Sequence, residues 1–117
     1  MEKQVELNEG YLTIGGNQVD VSGYHRVTTG RYSTNFDIED RLPPVNYTKY
    51  MMLIGYGGQV DFNQLQQQIS NAIPSELKGS IDAVVHTASD RLIDHFPPAA
   101  DGIEIMVSDD VKLIVRQ

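Results

Sequence analysis

The chain has 117 residues, 40% of them hydrophobic and 21% charged, which fits the size and composition of a single globular domain. It contains no cysteine, so disulfides, zinc–thiolate sites, cysteine-held iron–sulfur clusters and cysteine nucleophiles are excluded. A formal net charge of −7 favours solubility and disfavours sequence-independent binding to nucleic-acid phosphates. We therefore expect one soluble, acidic domain over residues 1–117.

The first segment alternates apolar and polar residues on both sides of a glycine turn. The apolar positions are Val5, Leu7, Leu12, Ile14, Val19 and Val21. Gly15-Gly16-Asn17 lies between them, and glycine adopts the positive φ that a tight hairpin turn requires. Alternation around such a turn predicts a β-hairpin.

Residues 23–50 predict a strand over residues 26–32 and then a long surface connection broken by Pro43-Pro44. Residues 47–56 predict a further strand. One face of it would carry Tyr47, Met51 and Leu53, and the other Tyr50, Met52 and Ile54. Because both faces are apolar, we expect an interior strand.

The next segment has the features of a helix start. Asp61 can cap free backbone N–H groups, and Gln64, three residues on, can complete a capping box. Apolar residues then recur at helical spacing, at Phe62, Leu65, Ile69 and Ile73. Pro74 ends the predicted helix.

Ser75 can cap a second helix that runs to residue 96. The apolar stripe of this helix would be Leu77, Ile81, Val84, Ala88 and Leu92. A strand over residues 81–87 is the alternative, because Val84 and Val85 are β-branched and Gly79 weakens a helix start. We favour the helix.

The tail alternates again and predicts a second hairpin. Its apolar positions are Ile103, Ile105 and Val107 before Ser108-Asp109-Asp110, and Val111, Leu113 and Val115 after it. Glu104 and Lys112 would then form a cross-strand pair on its outer face. The predicted fold class is α+β: a mainly antiparallel sheet, built from an N-terminal hairpin or meander and a C-terminal hairpin, with two consecutive helices on one face.

Three residues of the second predicted helix could carry chemistry. Asp82, His86 and Asp90 are spaced by four, so on a helix they would present two carboxylates and an imidazole from one face to a metal or a proton. They lie off the apolar stripe, so an ordinary solvated face is the simpler interpretation. No motif implies a catalytic residue, a resident metal or a cofactor.

The polar face of the first helix carries no charge. Its residues are Asn63, Gln64, Gln66, Gln67, Gln68, Ser70 and Asn71. Amides lose less on desolvation than ions do, so this face is suited to burial against a protein partner or a second copy. A compositional bias toward Gln is the alternative explanation. The edge strands of the two hairpins offer a second route to assembly, by strand addition.

These features lead to an expected function of non-enzymatic binding or assembly, as an oligomeric structural or adaptor protein of bacterial or phage type. One alternative is an acidic inhibitor or immunity-type protein that covers a basic site, led by Asp37, Glu39 and Asp40. A second is a small enzyme that uses the His/Asp cluster.

With neither a signal peptide nor a membrane-length apolar run, we expect a cytoplasmic or virion-associated protein without membrane contact. His25, Arg26 and Arg31 lie near aromatic residues, but the acidic charge disfavours nucleic acid as a partner.

Overall fold

The computed structural model describes residues 3–8, 10–31, 47–55, 60–89 and 101–116. Within these ranges, strands predominate and accompany one α-helix, which confirms the α+β class. The strands are β1 (Gln4–Asn8), β2 (Tyr11–Ile14), β3 (Asn17–Asp20), β4 (His25–Arg31), β5 (Tyr47–Gly55), β6 (Ile81–His86), β7 (Asp101–Ser108) and β8 (Lys112–Val115). The helix, α1, spans Phe62–Ala72, and a short 3₁₀ turn spans Ser75–Leu77.

The strands form two sheets of four, not the one sheet that the sequence predicts. The first sheet has the order β3-β2-β1-β8, and the second has the order β4-β5-β7-β6. Strands β1 and β8 run parallel, and the other neighbouring pairs are antiparallel. The apolar faces of both sheets and of α1 meet in one core. No helix in the described ranges has the length and apolar character that a membrane span requires.

The N-terminal hairpin is confirmed as β2 and β3. Ile14 lies opposite Asn17 across a two-residue turn. Gly15 and Gly16 have φ of 55° and 95°, both positive as the common two-residue hairpin turn requires. The apolar residues of the alternating pattern face the core, as predicted, whereas Tyr11 of β2 is 48% exposed.

Strand β5 is an interior strand, as its two apolar faces predict, and it lies between β4 and β7. The prediction that Tyr47 shares a face with Met51 and Leu53 is wrong. An irregularity between Tyr47 and Lys49 shifts the register, so Tyr47 lies opposite Ser108. Since a register shift of one residue exchanges the faces of a strand, Tyr47 joins the side of the sheet that carries Tyr50.

Helix α1 is also confirmed. Asp61 is its N-cap, and the Asp61 side chain accepts a hydrogen bond of 3.1 Å from the backbone N–H of Gln64. Phe62, Leu65 and Ile69 are the buried residues of the helix, and it ends before Pro74. The polar face is consequently turned away from the core.

The second predicted helix is wrong. After the 3₁₀ turn, residues 81–86 run extended as β6 and pair with β7. The same residues fit a period of two, and Val84 and Val85 favour the extended backbone. Pairing with β7 outweighs the helical spacing, which shows tertiary context overriding a local pattern. The last part of that predicted helix, residues 90–96, lies outside the described residues.

The predicted tail hairpin is also wrong, although both of its strands exist. Strand β7 lies inside the second sheet, whereas β8 crosses to the first sheet and pairs parallel with β1. Glu104 is therefore buried and distant in register from Lys112, which lies opposite Gln4. Met106, apolar at an outward position of the predicted hairpin, is fully buried and marks β7 as a strand covered on both faces.

Candidate functional site

The uncharged face of α1 lies at the surface. Six of the seven residues predicted to meet a partner are exposed: Asn63, Gln64, Gln67, Gln68, Ser70 and Asn71. The helix is amphipathic, but its exposed face is unusual because exposed helix surfaces ordinarily carry charged side chains. We call these six residues the amide face.

The seventh residue, Gln66, makes a contact within the chain. It is half-buried, and its Nε2 donates a hydrogen bond of 2.7 Å to the carbonyl oxygen of Ala83 in β6. The backbone N–H of Ala83 donates to the carboxylate of Asp82 at 2.9 Å. Gln66 and Asp82 therefore satisfy both backbone groups of Ala83.

These two contacts protect a sheet edge. Ser108 donates its N–H to the carbonyl of Ser80, so alternation in the antiparallel ladder turns the backbone groups of Asp82, Val84 and His86 toward β7. Those of Ala83 then point to the outer edge of β6, where an added strand would bind. With both groups of Ala83 occupied by side chains, the middle of this edge cannot pair with another strand.

The edge of β3 differs. Val21 donates its N–H to the carbonyl of Gly10, and this hydrogen-bonded pair fixes the alternation along β2 and β3. It turns the backbone groups of Gln18 and Asp20 away from β2, toward the outer edge. Gln18 and Asp20 are both exposed. Their outward backbone groups are a template for strand addition.

An open groove of about 690 Å³ runs between this edge and the C-terminal half of α1. It is lined by Gly16, Asn17, Gln18, Val19, Asp20, Gln68, Asn71 and Ala72. Asn17 closes one end, since its Nδ2 donates a hydrogen bond of 2.7 Å to the carbonyl of Ala72. The groove thus joins the amide face to the β3 edge in one continuous surface.

The second sequence-predicted cluster is rearranged. Asp82 and His86 do share a face, but it is a face of strand β6, on which positions of equal parity point the same way. Asp90 lies outside the described residues. His86 is fully buried, and its Nε2 lies 3.2 Å from Oε1 of Glu104, which is also fully buried. The chain therefore brings together an imidazole and a carboxylate, though not the pair that the sequence predicts.

Glu104 is the residue that sequence reasoning missed. The sequence pattern predicts it on the outer face of a hairpin, where a glutamate is ordinary. The available signal was Met106, two residues on and of the same parity, since an apolar residue there indicates that this face is buried too.

Tyr47, Tyr50 and Asp82 lie on the same face of the second sheet as Glu104, and burial changes their pKa values. Burial, followed by the charge of Asp82, raises the pKa of Tyr47 to about 12. Burial, followed by the charge of Glu104, raises the pKa of Tyr50. Burial also raises the pKa of Asp82, and the hydrogen bond from the Ala83 N–H partly offsets that effect. Both phenols thus stay protonated at neutral pH and can donate hydrogen bonds.

No three metal-binding side chains within the described ranges come close enough together to hold an ion. The acidic residues of the inhibitor alternative, Asp37, Glu39 and Asp40, lie outside those ranges. Comparisons of the chain with protein-family models, with curated proteins and with solved structures find no significant match. The function is consequently argued from the residues and their geometry.

Proposed function

We propose that this protein is a non-enzymatic module for protein binding and assembly, and that its contact surface is the amide face of α1 together with the edge of β3. The observation that carries this proposal is the groove, because it makes a helix face and an open strand edge continuous. Such a surface offers backbone hydrogen bonds for affinity and side-chain amides for specificity.

Charge supports the choice of surface. The chain has a net charge of −7, yet no residue of the amide face is charged. Burying amides that find new hydrogen-bond partners costs little, whereas burying unpaired carboxylates costs much more. A protein that binds through this face avoids most of the desolvation penalty that an acidic surface imposes.

The contrast between the two edges also supports it. The chain uses two side chains, Gln66 and Asp82, to occupy the backbone groups of Ala83 on β6. Proteins commonly block sheet edges in this way to prevent unwanted association. Among the described residues, no side chain blocks the edge of β3 in this way, so this edge beside an uncharged helix face is a candidate for wanted association.

Site-specific photocrosslinking in the native host tests this proposal. A photoreactive residue at Gln67 samples the amide face. One at Thr13, which lies opposite Gln18 on the neighbouring strand β2, samples the sheet next to the β3 edge. A matched control at Lys112 samples the far edge of the same sheet. We expect discrete protein adducts from Gln67 and Thr13 and none from Lys112. Equal labelling at all positions, or adducts from Lys112 alone, would contradict the proposal.

A small enzyme is the second candidate, and the contact between His86 and Glu104 favours it. A carboxylate that orients an imidazole is a common arrangement for a general base. Both side chains are fully buried, however, so a substrate would need a change of conformation to reach them. Diethylpyrocarbonate modification followed by mass spectrometry tests access: rapid modification of His86 in the folded protein favours the enzyme, and protection until unfolding counts against it.

A further inference from the structure

Resting on the proposed assembly function, we infer that the partner at the β3 edge is a second copy of this chain. The two β3 strands pair antiparallel about a two-fold axis beside Val19, and the two first sheets become one continuous sheet of eight strands.

The backbone supports one register in particular. Outward groups occur at Gln18 and Asp20, two residues apart, with Val19 between them. When Val19 lies opposite Val19 of the second copy, each Gln18 faces an Asp20. Both residues of each pair then exchange N–H and carbonyl groups, which gives four hydrogen bonds across the axis.

Charge disfavours the neighbouring registers. Placing Asp20 opposite its own equivalent sets two carboxylates face to face, which destabilises a strand pair. Placing Gln18 opposite its own equivalent brings Asp20 against Gly16 in the turn and loses the regular ladder there. Only the register centred on Val19 sets the carboxamide of Gln18 against the carboxylate of Asp20, as donor and acceptor.

The groove also carries little charge, which eases the approach of two acidic copies. Of the residues that line it, Asp20 alone carries a charge. Under the two-fold axis, the C-terminal half of each α1 flanks the new strand pair, and the helices contribute Gln68 and Asn71. Uncharged amides on both sides add no like-charge repulsion to that produced by the net charge of −7.

Sedimentation velocity of the full chain, from micromolar to millimolar concentration, tests the inference. We expect a reversible monomer–dimer equilibrium. Gln18→Pro removes an outward N–H that takes no part in the β2–β3 ladder, and it should raise the dissociation constant by roughly ten- to a hundredfold. Gln18→Thr keeps the N–H and should leave the equilibrium within about threefold of the wild-type value.

A second pair of variants tests the helix side. Asn71→Asp adds a negative charge inside the groove and should weaken the dimer, more so at low salt. Ser89→Asp adds the same charge at an exposed position outside both the amide face and the residues that line the groove, and should not. Equal weakening by both variants would overturn the inference, because it would mean that net charge alone governs association.

Hydrogen exchange of the unmodified protein covers the case in which Gln18→Pro fails to fold. The amides of Gln18 and Asp20 should become protected as concentration rises, while that of Val85, on the outer edge of β6, should not. A monomer at every concentration, or a dimer that leaves the Gln18 amide unprotected, overturns the inference. If the monomer still yields a heterologous adduct from Gln67, the proposed binding function survives and only the identity of the partner is wrong.

Discussion

His86 and Glu104 lie on adjacent strands as diagonal neighbours two residues apart in register, with Nε2 of the imidazole 3.2 Å from Oε1 of the carboxylate. Neither side chain has any exposed surface. Buried polar groups ordinarily need hydrogen-bond partners, because an unsatisfied one costs about 1–3 kcal/mol. The pair therefore links β6 to β7 through side chains as well as through the backbone ladder.

Removing the carboxylate should expose that coupling. We expect Glu104→Leu to lower the free energy of unfolding by about 1–3 kcal/mol, because His86 loses an acceptor inside the protein. Glu104→Gln retains a side-chain carbonyl and should cost less. Urea unfolding with His86→Leu and the double variant completes a cycle. If the two single losses simply add, the two residues do not interact energetically.

Asp82 should make stability depend on pH in an unusual direction. Burial raises its pKa in the folded protein above the ordinary value of an aspartate, so the folded state holds the proton more tightly than the unfolded state. The stabilising contribution is complete below the unfolded pKa and is lost as pH rises through the folded pKa. Asp82→Asn keeps an acceptor for the Ala83 N–H and removes the charge. We expect this variant to gain stability relative to wild type as pH rises across that window.

Thermal or urea unfolding across a pH series measures this effect. Asp109→Asn, at an exposed position, is the matched control and should reproduce the wild-type slope through the window. A parallel pH profile for wild type and Asp82→Asn would show that Asp82 is ionised equally easily in both states.

The helix cap offers a smaller and simpler test. The Asp61 carboxylate accepts from the Gln64 N–H at 3.1 Å. Asp61→Ala should lower the free energy of unfolding by about 1 kcal/mol, and Asp61→Ser should restore most of it, because serine also caps well. Urea unfolding monitored by circular dichroism gives both values. No difference between Ala and Ser would mean that the cap contributes little here.

The two turn glycines should respond differently to the same substitution. A Cβ at Gly15 would lie 2.6 Å from Cγ of Pro74, whereas one at Gly16 would meet nothing within 4 Å. Asparagine tolerates positive φ better than most residues, so backbone strain alone should be modest at either site. We expect Gly15→Asn to destabilise the protein clearly more than Gly16→Asn. Equal midpoints in urea would show that Pro74 moves aside freely.

The features predicted correctly from the sequence are those that a few neighbouring residues determine. The turn at Gly15-Gly16 and the cap at Asp61 each rest on local backbone requirements. Segment 81–86 fits helical and extended periods equally well, and a strand far along the chain decides between them. For the same reason the sequence predicts only half of the cluster around His86. It identifies His86 itself, but the contact with Glu104 depends on the pairing of β6 with β7.

The outer edge of β6 should lose its protection when the side chains of Gln66 and Asp82 are shortened. Gln66→Ala frees the carbonyl of Ala83, and Asp82→Ala frees its N–H. Both groups then point out of the sheet and can pair with another chain. We expect the double variant to form larger, disordered assemblies on prolonged incubation, detected by light scattering and thioflavin T fluorescence. Gln67→Ala with Asp109→Ala removes the same side-chain types from exposed positions and should form no larger assemblies than the wild type. If the Gln66/Asp82 variant also forms no larger assemblies, some other feature of the chain blocks strand pairing at this edge.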